Sequence, residues 1–343
     1  MNTIKIILAQ ILNRKKVLVF VFFISGLVFA RCHLMSIFRP IGGKDNYKII
    51  DIIEGMDSYK IAKLLAEEKL IRSQSTFLIL VRLNGASKQL KAGRYKLNAQ
   101  LSTTQIIRKL VSGEVIKQRL VIPEGFTIAQ IAQLWEAKGL GKASCFEQAT
   151  RNQNLLQKYH IKALSLEGYL FPNTYEVTYS TTPEKFIERM LQEFNRRFTN
   201  DLRQEADNLH LSVHEVVTLA SIIEKECKVN YERPIISAVF HNRLQQGWKL
   251  EADPTVLYAL GNFKRKLTFD DLKTNSPYNT YVHNSLPPGP ICNPGITSII
   301  ATVRPNQTPY MYFVAMGNGT HYFSKTLDEH RNAKNLAKRR SNL

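Results

Sequence analysis

Two glutamates end one apolar stretch of this 343-residue chain, Leu219-Ala220-Ser221-Ile222-Ile223-Glu224-Lys225-Glu226, and proton transfer is the chemistry such side chains offer. Upstream, Ser212-Val213-His214-Glu215 has the S-x-x-E spacing of a capping box, so a helix is expected from Val213 to Cys227. At 100° per residue, Val213, Val217, Ala220 and Cys227 share a side with Glu224, with Ser221 at its edge. Leu219 and Ile222 fall opposite, beside Glu215 and Glu226. Such a helix is apolar nearly all round and has to be buried. A carboxyl group placed there loses hydration, which raises its pKa from about 4.3. A glutamate still protonated near neutrality can donate a proton to a glycosidic oxygen. The same pattern fits a structural ion pair of Glu224 with Lys225, Lys228 or a nearby arginine equally well, and periodicity does not choose between Glu224 and Glu226.

Metal and redox chemistry have less support. His210 and His214 are four apart, but His210 precedes the cap, so the two do not share a helical face, and the stretch is not H-E-x-x-H. Cys32, Cys145, Cys227 and Cys292 lie far apart without a C-x-x-C pair. That argues against a zinc ribbon, a thioredoxin-like motif or a disulfide framework. One bridge among the last three stays open, beside the plainer reading of small buried hydrophobes.

The elements that must position these groups follow from patterning. Tyr47–Asp51 and Ala92–Leu97 read as strands, and Ser58 to Glu68 reads as an amphipathic helix with Ile61, Leu64 and Leu65 on one face. Ser102 is the expected cap of a helix carrying Ile106, Ile107 and Leu110, and Gly113 its stop. Ile52-Ile53-Glu54-Gly55-Met56, followed by Ile61, Ala62 and Leu65, recurs 70 residues later as Ile122-Pro123-Glu124-Gly125-Phe126 with Ile131, Ala132 and Trp135. Two copies are too few for a solenoid and suggest a small βα module used twice. Further helices are expected at 128–138, 183–198 and 235–246. Beyond Asn275 the chain turns rich in Pro, Gly, Asn and Tyr, as binding loops on a rigid scaffold do.

Val17–Ala30 carries neither charge nor proline and follows Arg14, Lys15 and Lys16. At about 1.5 Å per residue it reaches roughly 21 Å of a ~30 Å hydrocarbon core, and continuation to Phe38 gives a spanning length if Arg31 snorkels. Positive charge on the N-terminal flank directs the remainder outward. A signal peptide cleaved after Val28-Phe29-Ala30 is the second reading and a buried core helix a distant third. Length allows about two domains, and the expected division is 1–16 cytoplasmic, 17–38 anchor, 47–116 small subdomain and 117–343 larger domain. The 47 Lys and Arg against 28 Asp and Glu give a net +19, suited to a polyanionic partner or an anionic membrane surface. No helix-turn-helix, zinc finger or RNP-like segment accompanies that charge, so nucleic acid is not the expected partner.

The Leu219–Glu226 stretch resembles the signature helix of the endolytic murein transglycosylases, the MltG or YceG-like family. Leu166-Glu167-Gly168-Tyr169-Leu170-Phe171-Pro172-Asn173-Thr174-Tyr175 resembles the family's L-E-G-(aromatic)-x-x-P-D-T-Y stretch. Val239–Leu244, Asp253–Val256, Tyr278–Tyr281, Leu286–Ile291, Asn293-Pro294-Gly295, Tyr312–Ala315, His321–Phe323 and Glu329-His330 then follow in the family's order. Two departures stand out: Asn173 replaces the usual Asp, and Glu251 precedes Ala252-Asp253 where a neutral residue is common.

The resemblance implies an α+β protein with a transmembrane helix, a small LysM-like βα subdomain and a larger mixed α/β catalytic domain. It implies non-hydrolytic cleavage of the MurNAc-GlcNAc β-1,4 bond inside peptidoglycan strands, with one carboxyl group, Glu224, and no metal or cofactor. Ordinary glycosidases need two carboxylates. Here the sugar's C6 hydroxyl attacks C1 and leaves a 1,6-anhydro end. Glu167, Ser221, Glu226, Asn242, Asp253, Asn279, Tyr281 and His321 are the expected substrate-side residues, with a helix N-cap as the rival role for Asp253. Expected partners are glycan strands, the inner membrane and peptidoglycan synthases, with the catalytic domain on the outer side of the cytoplasmic membrane. The rival from another class is a non-catalytic peptidoglycan-binding adaptor.

Overall fold

The computed structural model describes Ser25 and residues 40–42, 47–263 and 266–341. Apart from Ser25, the expected cytoplasmic segment and anchor lie outside the described residues, among which no helix is long and apolar enough to cross a membrane. The chain forms two compact units, one holding the described residues up to Gln118 with Thr178–Ser180, the other Arg119–Val177 with Thr181 onward.

The first unit runs β1 (Lys48–Ile52), α1 (Ser58–Glu67), α2 (Gln74–Leu83), β2 (Gly93–Leu97) and α3 (Thr103–Ser112). β1 and β2 pair antiparallel with Ile50 opposite Tyr95. Ile50 and Ile52 point into the core while Ile49 faces out, the period-2 alternation of a half-buried strand. Asp57 caps α1. α3 has the reciprocal capping box of Ser102 and Gln105 and stops at Gly113 in the left-handed region. α2 is absent from the sequence expectations, because its Phe77-Leu78-Ile79-Leu80-Val81 run carries no polar residue to reveal a helical period.

In the second unit, β3 (Gln118–Val121) pairs with β4 (Thr174–Val177). Between them lie α4 (Ile128–Ala137), α5 (Ala143–Ala149) and α6 (Gln153–Lys158), and after them α7 (Pro183–Arg197), α8 (Asn200–Asn208) and α9 (Val213–Glu226). α10 (Arg233–Gln245), α11 (Asp253–Ala259), α12 (Ile296–Val303), the antiparallel hairpin β5 (Tyr312–Ala315) and β6 (His321–Ser324), and α13 (Leu327–Ser341) complete it. Apart from a short 3-10 turn at Asp271–Lys273, the Pro- and Asn-rich segment before α12 is irregular, as its composition foretold.

α9 is the axis of this unit. Ser212 and Glu215 form the expected capping box, and Cys227 closes the helix. Val216, Val217 and Ala220 join a core built around Trp135, Phe146 and Phe186. Leu219, Ile222 and Ile223 join a second core with Ile236, Phe240 and Ile291. A helix flanked by two cores has no face to leave polar, which is why its periodicity is weak. The 70-residue echo is structural too. Each copy is a strand, a turn with glycine at positive φ (Gly55 at 82°, Gly125 at 75°) and a side-chain-capped helix. The expected helices 128–138, 183–198, 213–227 and 235–246 correspond to α4, α7, α9 and α10.

Candidate active site

Glu224 lies in the last turn of α9 with a side chain only 7% exposed. Both oxygens of its carboxylate are engaged. Arg233 Nη2 donates to Oε1 at 2.9 Å, and Oε2 accepts from the Gly295 N–H at 3.0 Å and the Ser298 hydroxyl at 2.8 Å. Arg233 Nε also donates to Ser298 Oγ at 2.8 Å, so one guanidinium orients both partners, and a further Arg233 N–H reaches Asn230 Oδ1. Charge-assisted bonds of this kind are shorter and stronger than neutral ones. The apolar wall expected from periodicity is therefore corrected. The Glu224 side chain is surrounded by hydrogen-bond donors of the protein, and the arginine pairing weighed from sequence is part of the site.

The second βα module supplies the facing wall. Gly125 N–H donates to Asn293 O at 2.9 Å, Lys225 Nζ donates to Gly125 O at 3.1 Å, and a side chain at Gly125 would meet Glu224 Cγ at 3.6 Å. Asn293 Nδ2 donates to Phe126 O at 2.8 Å and to Glu167 Oε1 at 3.1 Å, while its Oδ1 accepts from Leu170 N–H at 2.8 Å. One buried amide thus ties the turn at Glu124-Gly125, the Leu166–Phe171 loop and the Asn293-Pro294-Gly295 turn together. The cleft above Glu224 has a volume of about 290 Å³ and is lined by Glu124, Gly125, Lys225, Lys228, Leu257 and Phe263 among others. Across Phe263 it meets a cavity of about 480 Å³ bordered by Gln130, Gln133, Glu167 and Tyr258. Ser165 and Glu167 in turn border a third of about 750 Å³ beside Tyr278, Pro288 and Pro290. Phe263 is thus shared by the first two cavities, and Ser165 and Glu167 by the last two.

The other expected residues fall into two groups. Glu226, Asp253 and Tyr281 gather beside α11. The Tyr281 hydroxyl donates to Asp253 Oδ1 at 2.6 Å, and burial, reinforced by the Asp253 carboxylate and opposed by Arg243, pushes Glu226 up to about 8. Asp253 is the first residue of α11, and its side chain makes no cap there. Glu167, buried, accepts from the Ile128 N–H at 3.1 Å, and desolvation pushes its carboxyl up to about 8 against those bonds. The second group spends its polar atoms on the scaffold. Ser221 Oγ donates to Thr218 O and accepts from Ile291 N–H, at 2.7 and 3.0 Å. Asn242 Nδ2 donates to Thr308 O and Tyr310 O, and Asn279 Nδ2 to Leu272 O and Thr274 O. His321 binds Glu232 through its backbone N–H at 3.1 Å and ring Nδ1 at 2.8 Å.

Both sequence departures have a local reason. Asn173 Nδ2 donates to Glu193 Oε1 at 3.1 Å, which an aspartate there would repel, and Glu251 pairs with Arg243 at 3.3 Å. His210 stands outside α9 at φ 55°, and the His214 ring meets the Tyr169 hydroxyl and Pro288 O. Cys145, Cys227 and Cys292 are free thiols.

Sequence reasoning passed over Glu124, Arg233, Gly295 and Ser298 as site residues. Arg233 and Ser298 stand 9 and 74 residues from Glu224 on other helices, beyond any periodic signal. Glu124 was visible only as part of the echo, and Gly295 only as part of a motif.

Known proteins share this arrangement of chain. The chain is 37% identical to the endolytic murein transglycosylase of Bacillus subtilis strain 168, an alignment covering 83% of each protein. It is 29% identical to the protein of the same name from Streptococcus pneumoniae serotype 2 strain D39, where 89% of this chain spans 61% of the relative. A crystal structure of a yceG-like protein from Listeria monocytogenes superposes with a TM-score of 0.59 at 37% identity, covering 84% of this chain and 99% of that one. Residues 50–336 match the model of the YceG-like family, a span that takes in every residue around Glu224, and the chain belongs to that family.

Proposed function

We propose that this protein is a membrane-anchored endolytic lytic transglycosylase. It cleaves the MurNAc-GlcNAc β-1,4 bond within nascent peptidoglycan strands without water and leaves 1,6-anhydro-MurNAc ends. Family membership and the names of the relatives support the substrate class. The observation that carries the chemistry is the position of Glu224, nearly buried yet lining an open cleft of about 290 Å³, with its carboxyl group fixed by three donors. In the one-carboxyl form of the reaction, the acid donates to the leaving oxygen. The carboxylate then takes the proton of the C6 hydroxyl as that oxygen attacks C1. General acid-base help of this kind contributes about 10²–10⁴-fold in rate.

The strand, two helices, strand order of the first unit supports the LysM-like reading, a wall-binding module beside the catalytic one. The basic cluster before the apolar run at 17–38 supports single-pass anchoring in the cytoplasmic membrane with the catalytic domain outside. In that position the enzyme acts beside peptidoglycan synthases as a terminator of strand growth.

The test incubates purified protein with uncross-linked glycan strands and reads the product ends by mass. The wild type yields anhydro-ended fragments, and Glu224→Gln yields none. Equal product from the two proteins removes Glu224 from the reaction, and absence of product from both favours the adaptor.

A further inference from the structure

Away from Glu224, the second unit holds a cavity of about 600 Å³ that the chemistry above does not use. It lies where four segments meet: the turn after α6, the C-terminal half of α7, α8 at Arg203, and the first residues of α9. Buried Leu191 and Phe194 give it an apolar base. Lys158, Lys162 and Arg203 stand on its walls, and among the described residues none of those lining it is acidic. Its size is that of a small-ligand site, about 300–1,000 Å³.

Arg203 carries an unbalanced charge. Its guanidinium makes no ion pair among the described residues, and partial burial works against the charge. It lies over the Phe198 ring, 4.8 Å from the centroid, and Nη2 donates to the neutral Asn195 Oδ1 at 3.2 Å. A cation drawn partly out of water without a counter-charge favours an anion beside it, and the guanidinium fork matches a carboxylate. Lys162 is exposed and makes no ion pair either. Lys158 is offset by Glu188, while the Glu215 carboxylate accepts from the Ser212 N–H and hydroxyl at 2.8 and 2.7 Å. The Tyr169 hydroxyl and the His214 ring are spent on each other at 2.9 Å, and His214 Nε2 on Pro288 O at 2.8 Å.

The position of the cavity limits what the anion can belong to. Val213, in its wall, shares a side of α9 with Glu224, about 16 Å away along the helix axis. The peptide that muramic acid carries has the reach, since five extended residues span about 17 Å. Such a peptide ends in a carboxylate behind alanine methyl groups, a match for cations above an apolar base. Resting on the substrate class read above, we propose that this cavity is a stem-peptide site. Arg203 and Lys162 hold the terminal carboxylate of the peptide on the strand being cut. The site touches no reacting atom and leaves the work of Glu224 as it is.

The experiment uses full-length wild type, Arg203→Gln, Arg203→Lys and Lys162→Gln. Each is assayed on uncross-linked strands that carry pentapeptides and on the same strands stripped by an amidase. Each is also titrated with a free acetylated pentapeptide ending in D-alanyl-D-alanine, with its C-terminal amide, and with inorganic phosphate. In the wild type, KM is expected to be about tenfold lower for the peptide-bearing strands, the size of a hydrogen bond to a charged group. Arg203→Gln and Lys162→Gln bring the two KM values together, with kcat changed less than KM, and Arg203→Lys keeps part of the difference. The free acid binds the wild type more tightly than the amide does, and the two Gln variants lose that preference. Lys162 is exposed, so its variant tests the site even if Arg203→Gln fails to fold. Equal KM for both strands in the wild type overturns the proposal. So do variants that shift both strands alike, equal binding of acid and amide, or binding of phosphate alone. A wild type that cuts neither strand removes the reading of Glu224 instead, and the peptide titration still decides the cavity.

Discussion

At the scale of single residues, hydrogen bonds and close approach count for more here than residue type. Gly295 gives its N–H to Glu224 and leaves room for the Glu124 carboxyl, and Gly295→Ala tests what its missing side chain is for. The atom the new methyl meets is the end of a flexible, exposed glutamate, so the fold yields cheaply there. A thermal melt is expected to stay near that of the wild type while strand cleavage falls, and unchanged cleavage shows that the placement of Glu124 is immaterial. Glu167 and Glu226 make a different prediction. Each has its carboxyl raised to about 8, chiefly by burial. Between the ordinary glutamate value of about 4.3 and that raised value, the folded state holds protons that the unfolded state has released. Their contribution to stability is complete at low pH and is lost as pH rises to about 8. Melting temperature should therefore fall between pH 5 and pH 9, and Glu167→Gln, which keeps an acceptor for the Ile128 N–H, should flatten that fall. An equally steep decline in the variant places its origin elsewhere.

At the scale of elements, α9 has to hold Glu224 steady against substrate, and it does so through its two cores and its cap. The N-terminal Ser212 box lies 12 residues from Glu224, at the other end of the helix. Ser212→Ala removes a side-chain acceptor for the Glu215 N–H and is expected to cost about 1 kcal/mol. In a domain of this size that corresponds to about 2–4 °C in Tm. Cleavage measured well below the melt should be retained, since the packing of the last turn is untouched. A loss of activity larger than the loss of stability means that α9 transmits strain along its length. The repeated βα module shows one element used in two ways. In the first unit its turn, Glu54-Gly55, is exposed, and in the second the same turn brings Glu124 and Gly125 onto the end of α9.

At the scale of the whole molecule, the net charge of +19 favours association with anionic material over free diffusion. Exposed charges interact across roughly 10 Å at 0.1 M salt and only about 3 Å at 1 M. Binding of the full-length protein to purified sacculi, measured by sedimentation, should weaken steadily as salt is raised over that range. Salt-independent binding assigns recognition to uncharged sugar contacts.

The sequence by itself determined the elements whose caps and hydrophobic periods are local, including the helix that bears the site. Capping residues and hydrophobic periods act within a few residues, so Ser102, Ser212, Gly113 and the amphipathic α1 were readable one element at a time. Where the local signal vanished, as in the uninterrupted apolar run of α2, so did the expectation. Glu224 itself was singled out by the resemblance of its surrounding stretch, not by any local rule. Only the tertiary structure decided what surrounds it. Arg233, Gly295 and Ser298 reach it from the next helix and from 71 and 74 residues away, and Glu124 from a turn 100 residues upstream. The polarity of a buried carboxyl group is set by whichever donors packing brings within about 3 Å, and packing joins parts of the chain that share no periodicity.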